Sequence, residues 1–292
     1  MAGVTLSIEL NLLRKGLSSN YVVDKLSLNA DNINVQKLIN SVHCLLSCIL
    51  EEIIMQDLKI KVFSDGAVLD DMKKMAKHDY LKGFTTNPSL MKRAGIKNYM
   101  DFATEAVKDF PNYSISFEVF STDPDTMLKE AHKITALGDN VFVKVPVCNE
   151  KGELNTKVIS SLSHEGIKVN VTAIATADEV KAATEAVDPN VPSYMSIFVG
   201  RVADAGNEWV DFVKKSVEYA HKLPKCEVLW ASTREVANIF DAQKMGVDII
   251  TVPPAILEKF NAKRGQTPME ISKNTVDGFN KDIKQLGFSI LD

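Results

Sequence analysis

The sequence predicts a closed (β/α)8 barrel, an α/β fold of the TIM type, carrying an N-terminal extension. Three observations lead there. From Lys59 onward, eight short apolar runs rich in β-branched residues recur: IKVFSD from Ile60, GFTTN from Gly83, SISFEV from Ser114, VFVKVP from Val141, IKVNVTAI from Ile167, YMSIFVG from Tyr194, EVLWAS from Glu227 and DIITVP from Asp248. Between them lie helix-like stretches of the size expected for βα units, such as DPDTMLKEAHKITALG after the third run and EWVDFVKKSVEYAHKL after the sixth. Strands alternating with amphipathic helices make a parallel sheet, and eight repeats over about 230 residues close it into a barrel. Third, 292 residues with 45% hydrophobic content suffice for one large core. A doubly wound open sheet is the structural alternative, but no GxGxxG follows the first run.

Ahead of the barrel, residues 1–58 form a distinct, partly helical extension of unassigned role. Val35–Ile54 places apolar residues at helical spacing and predicts an amphipathic or buried helix. It is not a membrane span, because Gln36, Lys37, Asn40, His43, Glu51 and Glu52 interrupt it before about 18 apolar residues accumulate. The first residues make a poor secretory signal, with Glu9 early and no small-residue cleavage site after a clean apolar core. Met55 would itself open a complete domain, residues 59–292 being the barrel. At the other end, Thr267–Asp292 predicts a terminal helix with a short tail, packed on its own barrel or on a neighbour; a homo-oligomer is expected.

Composition excludes several function classes. Lys+Arg 34 against Asp+Glu 38 gives a net charge of -4, with no basic excess to suit nucleic acid, although a local pair of arginines can still hold a phosphate. The cysteines, Cys44, Cys48, Cys148 and Cys226, are scattered without a CxxC pair, as expected in the reducing cytoplasm. Cys44 and Cys48 lie one helical turn apart and suit a shared helix face. The histidines are isolated and none falls in an HExxH arrangement, so neither a metal nor another cofactor is expected.

Within the fourth run, NVFVKVPV at Asn140–Val147, Lys144 sits among valines. Lysine is among the residues least often buried, so its place in a core-like strand needs a reason. One reason is chemistry, since a desolvated amine can attack a carbonyl and form a Schiff base. The alternative is a snorkelling or edge-strand lysine. Active sites of such barrels lie at the carboxyl ends of the strands. There, polar residues recur in register: Asp65, Asn87, Glu118, Lys144, Thr172, Ser196 and Ser232. Each alone suits a helix cap or turn, Asp65, Asn87 and Ser232 especially. Seven around one mouth are hard to attribute to capping. Arg201 and Arg234, beside Ser232 at one rim, suit a charge-assisted grip on a phosphate, and Gly200 would let backbone approach a ligand closely.

The motifs TTNPSL at Thr85–Leu90, FEVF at Phe117–Phe120, VKVP at Val143–Pro146, NVTAI at Asn170–Ile174, SIFVGR at Ser196–Arg201 and ASTR at Ala231–Arg234 resemble the transaldolase family, which includes the fructose-6-phosphate aldolases. The resemblance implies that Lys144 is the Schiff-base lysine and Asp65 the general acid/base. Glu118 and Thr172 would hold and activate a water. Asn87 and Ser196 would bind the hydroxyls of a three-carbon unit, and Arg201, Ser232 and Arg234 its donor's phosphate. In the aldolase branch the positions of Glu118 and Phe198 typically carry glutamine and tyrosine, so this chain resembles the transfer branch. Ile197 and Thr233 depart from the family's usual residues while flanking these positions. The implied function is transfer of a dihydroxyacetone unit from fructose 6-phosphate or sedoheptulose 7-phosphate to an aldose phosphate. Release of free dihydroxyacetone, use of an unusual sugar such as a sulfonated one, and a non-catalytic binding barrel are the alternatives. The expected partners are small sugar phosphates, with neither nucleic acid nor membrane.

Overall fold

The computed structural model describes residues 58–288, 290 and 291. The helix expected over Val35–Ile54, Cys44 with Cys48, and the possible start at Met55 lie outside the described residues. The chain divides into two units, Met1–Asp57 and Leu58–Asp292, and the second is a closed barrel in which each strand pairs with the next and β8 with β1.

All eight apolar runs are strands, and all are parallel: β1 (Lys61–Asp65), β2 (Leu81–Thr85), β3 (Ser114–Glu118), β4 (Val141–Pro146), β5 (Val169–Ile174), β6 (Ser193–Ile197), β7 (Cys226–Trp230) and β8 (Ile249–Val252). The connecting helices are α1 (Leu69–Met75), α2 (Pro88–Arg93) and α3 (Tyr99–Asp109) after β2, α4 (Pro124–Thr135), α5 (Thr156–His164), α6 (Ala177–Ala186), α7 (Val199–Asp204) and α8 (Val210–Ala220) after β6, α9 (Ala237–Lys244), α10 (Pro254–Lys263) and α11 (Pro268–Leu286). Five of these eleven helices begin at a side-chain cap: Asn87, Asn98, Asp123, Thr176 and Thr267. Asp123 accepts from the Thr126 amide ahead of Pro124 in α4, and Thr176 with Glu179 forms a capping box on α6. Several strand ends differ from the sequence reading by a residue or two, β2 for instance starting at Leu81 and stopping at Thr85, and two of the differences bear on the site. Val199 and Gly200 open α7 instead of extending β6, and β7 stops at Trp230, leaving Ser232 in the loop beyond it.

The terminal helix forms as predicted. It starts at a Thr267–Glu270 capping box and stops at Gly287, whose φ of 70° is left-handed. No residue of α11 is buried, and its apolar Met269, Ile271, Val276, Phe279, Ile283 and Leu286 are exposed. Among the described residues no helix is long and apolar enough to cross a membrane.

Strand alternation separates two cores. Side chains facing the helices, including Val62, Phe84, Ile115, Val143, Val171, Met195 and Val228, belong to the large outer cluster. A smaller cluster fills the lumen: Phe63, Phe142, Tyr194, Leu229, Ala231 and Ile249, with Phe198 packed on it. There Phe142 stacks on Tyr194 at 3.9 Å and Phe63 meets Tyr194 edge-on at 5.9 Å. Since a strand repeats its facing every two residues, the next inward positions are Asp65 above Phe63, Lys144 above Phe142, Ser196 above Tyr194 and Thr251 above Ile249. The lumen is therefore apolar below and polar at the mouth.

Gly83 shows how tightly the lower layer is filled. A Cβ there would lie 2.6 Å from the Ser114 carbonyl oxygen and 2.8 Å from the Phe63 ring. Gly83→Ala should cost about 1–3 kcal/mol by overpacking, seen as a lower urea midpoint at unchanged m-value. An unchanged midpoint would contradict the filled lumen.

Candidate active site

Lys144 lies at the centre of the polar layer. In register across the sheet it is flanked by Glu118 on β3 and Asn170 on β5. Its residue is 5% exposed, so the snorkelling and edge-strand readings fail: the head is inside with the stem. Nζ donates to the Thr86 carbonyl oxygen at 2.8 Å and lies 3.3 Å from Glu118 Oε2. Thr86 is itself fixed, because its amide and its hydroxyl both donate to the Ser116 carbonyl, at 3.2 and 3.1 Å. Thus a backbone oxygen beyond β2 and a carboxylate from β3 hold the lysine from two sides.

Asp65 closes β1 and accepts a hydrogen bond from Thr85 Oγ1 at 2.9 Å, while Thr85 and Thr251 hydroxyls are themselves bonded. Burial pushes the Asp65 carboxyl above the usual carboxylate range. Lys144, Thr85 and Arg93 pull it back, and Glu118 adds to the rise. Asp65 is not a helix cap. The residue at that place on α1 is Val68, with no side-chain bond.

Thr172 is 2% exposed, and its Oγ1 is buried without a hydrogen-bond partner among the described residues. The strand is irregular at this point. Pairing of β5 with β6 shifts register between Val171 and Ile174, and Ala173 takes a left-handed φ of 63°. Bulges of this kind re-aim side chains beside active sites. A buried, unpaired hydroxyl in such a place asks for a ligand or water to bond to.

Ser196 is also brought into the layer, but in a relay. Its Oγ donates to Asn170 Oδ1 at 2.6 Å, and Asn170 Nδ2 donates to Ser116 Oγ at 3.0 Å. Asn170 and Ser116 were missed as site residues; an asparagine one register step from the buried lysine was the available signal. Asn87 proves to be a cap as well as a rim residue: its Oδ1 accepts from the Leu90 amide at 3.0 Å. The cap uses the amide oxygen and leaves the NH2 group as a donor.

At the rim, the reading of Gly200 needs correction. A Cβ there would lie 1.8 Å from the Ser232 carbonyl oxygen, so this glycine admits the protein's own backbone. Ser232, with φ of 66°, turns that carbonyl onto α7; it caps no helix, the cap position of α9 being Val236. Arg201 places its guanidinium over the Phe198 ring, 4.9 Å from its centre. Arg234 reaches Asp204 Oδ2 with Nε at 2.8 Å and Nη2 at 2.6 Å, which holds the Asp204 carboxyl below its usual range. Asp204 was also missed, because nothing in the order of residues pairs it with Arg234.

A (β/α)8 barrel with a buried lysine and two carboxylates at its carboxyl-terminal mouth has the layout of an enzyme of this architecture. Residues 62–290 match the family described as Transaldolase/Fructose-6-phosphate aldolase. Among curated relatives, the chain is similar to a probable transaldolase of Nitrosopumilus maritimus, at 35% identity over 68% of this chain and 86% of that one. It is also similar to probable transaldolases of Ruegeria sp., at 31% identity, and Erythrobacter litoralis, at 32%, each match covering 80% of this chain and all of the relative. The chain belongs to the transaldolase/fructose-6-phosphate aldolase family.

Because the fold raises the Asp65 pKa, it favours the protonated carboxyl, and this contribution to stability is lost as pH rises through the folded-state value. Asp65→Asn should therefore unfold at a higher Tm than the parent at pH 7, with the gap closing once the pH falls below the ordinary carboxylate range. Thermal unfolding across pH 3–8 checks this; a variant less stable at pH 7 would contradict it.

Proposed function

We infer that this chain is a transaldolase that moves a dihydroxyacetone unit from a ketose phosphate to an aldose phosphate through a Schiff base on Lys144. The observation that carries the reading is the buried Nζ held between the Thr86 carbonyl and Glu118. In this reading the amine of Lys144 attacks the ketose carbonyl, and loss of water gives an iminium. Asp65 then takes the proton of the C4 hydroxyl as the C3–C4 bond breaks, and the electron pair of that bond passes into the iminium to leave an enamine. The aldose departs, an acceptor aldehyde enters, and the same steps run backward with Asp65 returning the proton.

The surroundings suit each part. A carboxyl whose pKa is raised by burial is better placed to take and return a proton near neutral pH. The orphan hydroxyl of Thr172, with Glu118, suits a water that serves dehydration and hydrolysis of the iminium. Ser196 and the free amide edge of Asn87 suit the hydroxyls of the three-carbon unit. Arg201, Arg234 and Ser232 suit the phosphate. Phe198 packs on the lumen cluster and has no hydroxyl with which to orient a water, so the enamine survives until an acceptor arrives. Such an enzyme would serve non-oxidative interconversion of pentose and hexose phosphates in the cytoplasm.

The family takes in both transfer and free aldol cleavage, and a coupled assay separates them. With fructose 6-phosphate as donor, product should form only when an aldose phosphate is present, and Phe198→Tyr should increase release of free dihydroxyacetone. Steady release by the parent chain without an acceptor would favour the aldolase reading instead.

A further inference from the structure

Two arginines at the rim are useful for anion recognition only if they converge. Arg201 comes from α7 and Arg234 from the loop after β7, so their relation is set by contacts between those two segments. The structure supplies two such contacts. Along its stem, Arg234 lies against Gly200: a Cβ at that glycine would come within 3.2 Å of Arg234 Cγ and within 1.8 Å of the Ser232 carbonyl oxygen. At its head, Arg234 is bonded through Nε and Nη2 to the single oxygen Oδ2 of Asp204, which closes the same helix.

We propose that Asp204 is a positioning residue for anion recognition: through α7 it braces Arg234 beside Arg201 so that the two guanidinium groups meet one phosphate. This rests on the reading of that pair as the phosphate site. The geometry decides against the opposite role, a carboxylate that competes with the ligand. Both contacts fall on the Nε–Nη2 edge of the guanidinium, and the Nη1 side remains able to donate. Arg201 and Asp204 are three residues apart on one helical turn and so project from the same side of α7. An arginine free to move carries substantial rotamer entropy, which an anion would have to suppress on binding; the tether has suppressed it already. The two side chains are 47% and 55% exposed, so the ion pair adds little to stability, and its effect falls on the site.

The test is calorimetric titration of the full chain with inorganic phosphate, together with steady-state kinetics on fructose 6-phosphate, for the parent, Asp204→Asn, Asp204→Glu, Arg234→Met and the double variant Asp204→Asn/Arg234→Met. Asp204→Asn is expected to weaken phosphate binding by a factor within roughly twofold to 150-fold, the range of coupling within one bonded network, with the kinetic loss in KM and not in kcat. Asp204→Glu should recover part of it. In the Arg234→Met background the asparagine substitution should have no further effect. If Asp204→Asn binds phosphate as well as or better than the parent while Arg234→Met is impaired, the brace is wrong and Asp204 is a bystander or a competitor. Should Arg234→Met bind phosphate like the parent, the phosphate-site reading fails, and the brace with it.

Discussion

The structure turns on one costly placement, a lysine head inside a barrel lumen. Moving an ammonium out of water is strongly unfavourable unless partners replace its hydration. Here those partners are a backbone carbonyl, Thr86, and a carboxylate, Glu118. Thr86 can serve only because Ser116 fixes it, and Glu118 only because β3 pairs in register with β4. Asp65, Asn170, Ser196 and Thr251 extend the same layer at inward positions, one step above an apolar plug of Phe63, Phe142, Tyr194 and Ile249. Removing one member of a buried ion pair typically costs about 3–5 kcal/mol, so the polar layer is tied to the stability of the barrel as well as to its chemistry.

Departures from regular geometry gather at this mouth. Ala173 and Ser232 are the described non-glycine residues with left-handed φ, and each lies at the carboxyl end of a strand beside a site residue or at one. Such conformations typically cost about 1–3 kcal/mol each and persist where the surroundings enforce them. At Ala173 the enforced bulge belongs to the strand that presents Thr172. At Ser232 the turned carbonyl fits only because position 200 lacks a Cβ. Both irregularities sit on the side of the barrel where ligands bind in this architecture.

Much of this was legible from the chain. Lys144 among valines, and Asp65 two residues above Phe63, follow from strand period alone. The eight strands were visible for the same reason, with ends displaced by a residue or two where the apolar run continues past the strand, as at Val199 and Ala231. What stayed hidden were relations between distant segments. No local pattern pairs Asp204 with Arg234, thirty residues on, or assigns the Thr86 carbonyl, an atom every residue has, to Lys144. The glycine of FVGR announced a close approach but not its partner. Asn87 looked like either a cap or a ligand group, and its two amide atoms allow both.

The central claim is that Lys144 is the nucleophile, and borohydride reduction in the presence of fructose 6-phosphate tests it most directly. Mass spectrometry of the digested chain should find the reduced dihydroxyacetone or ketose adduct on the peptide containing Lys144, and none in Lys144→Met. An adduct confined to another lysine, or turnover that survives in Lys144→Met, would contradict the account.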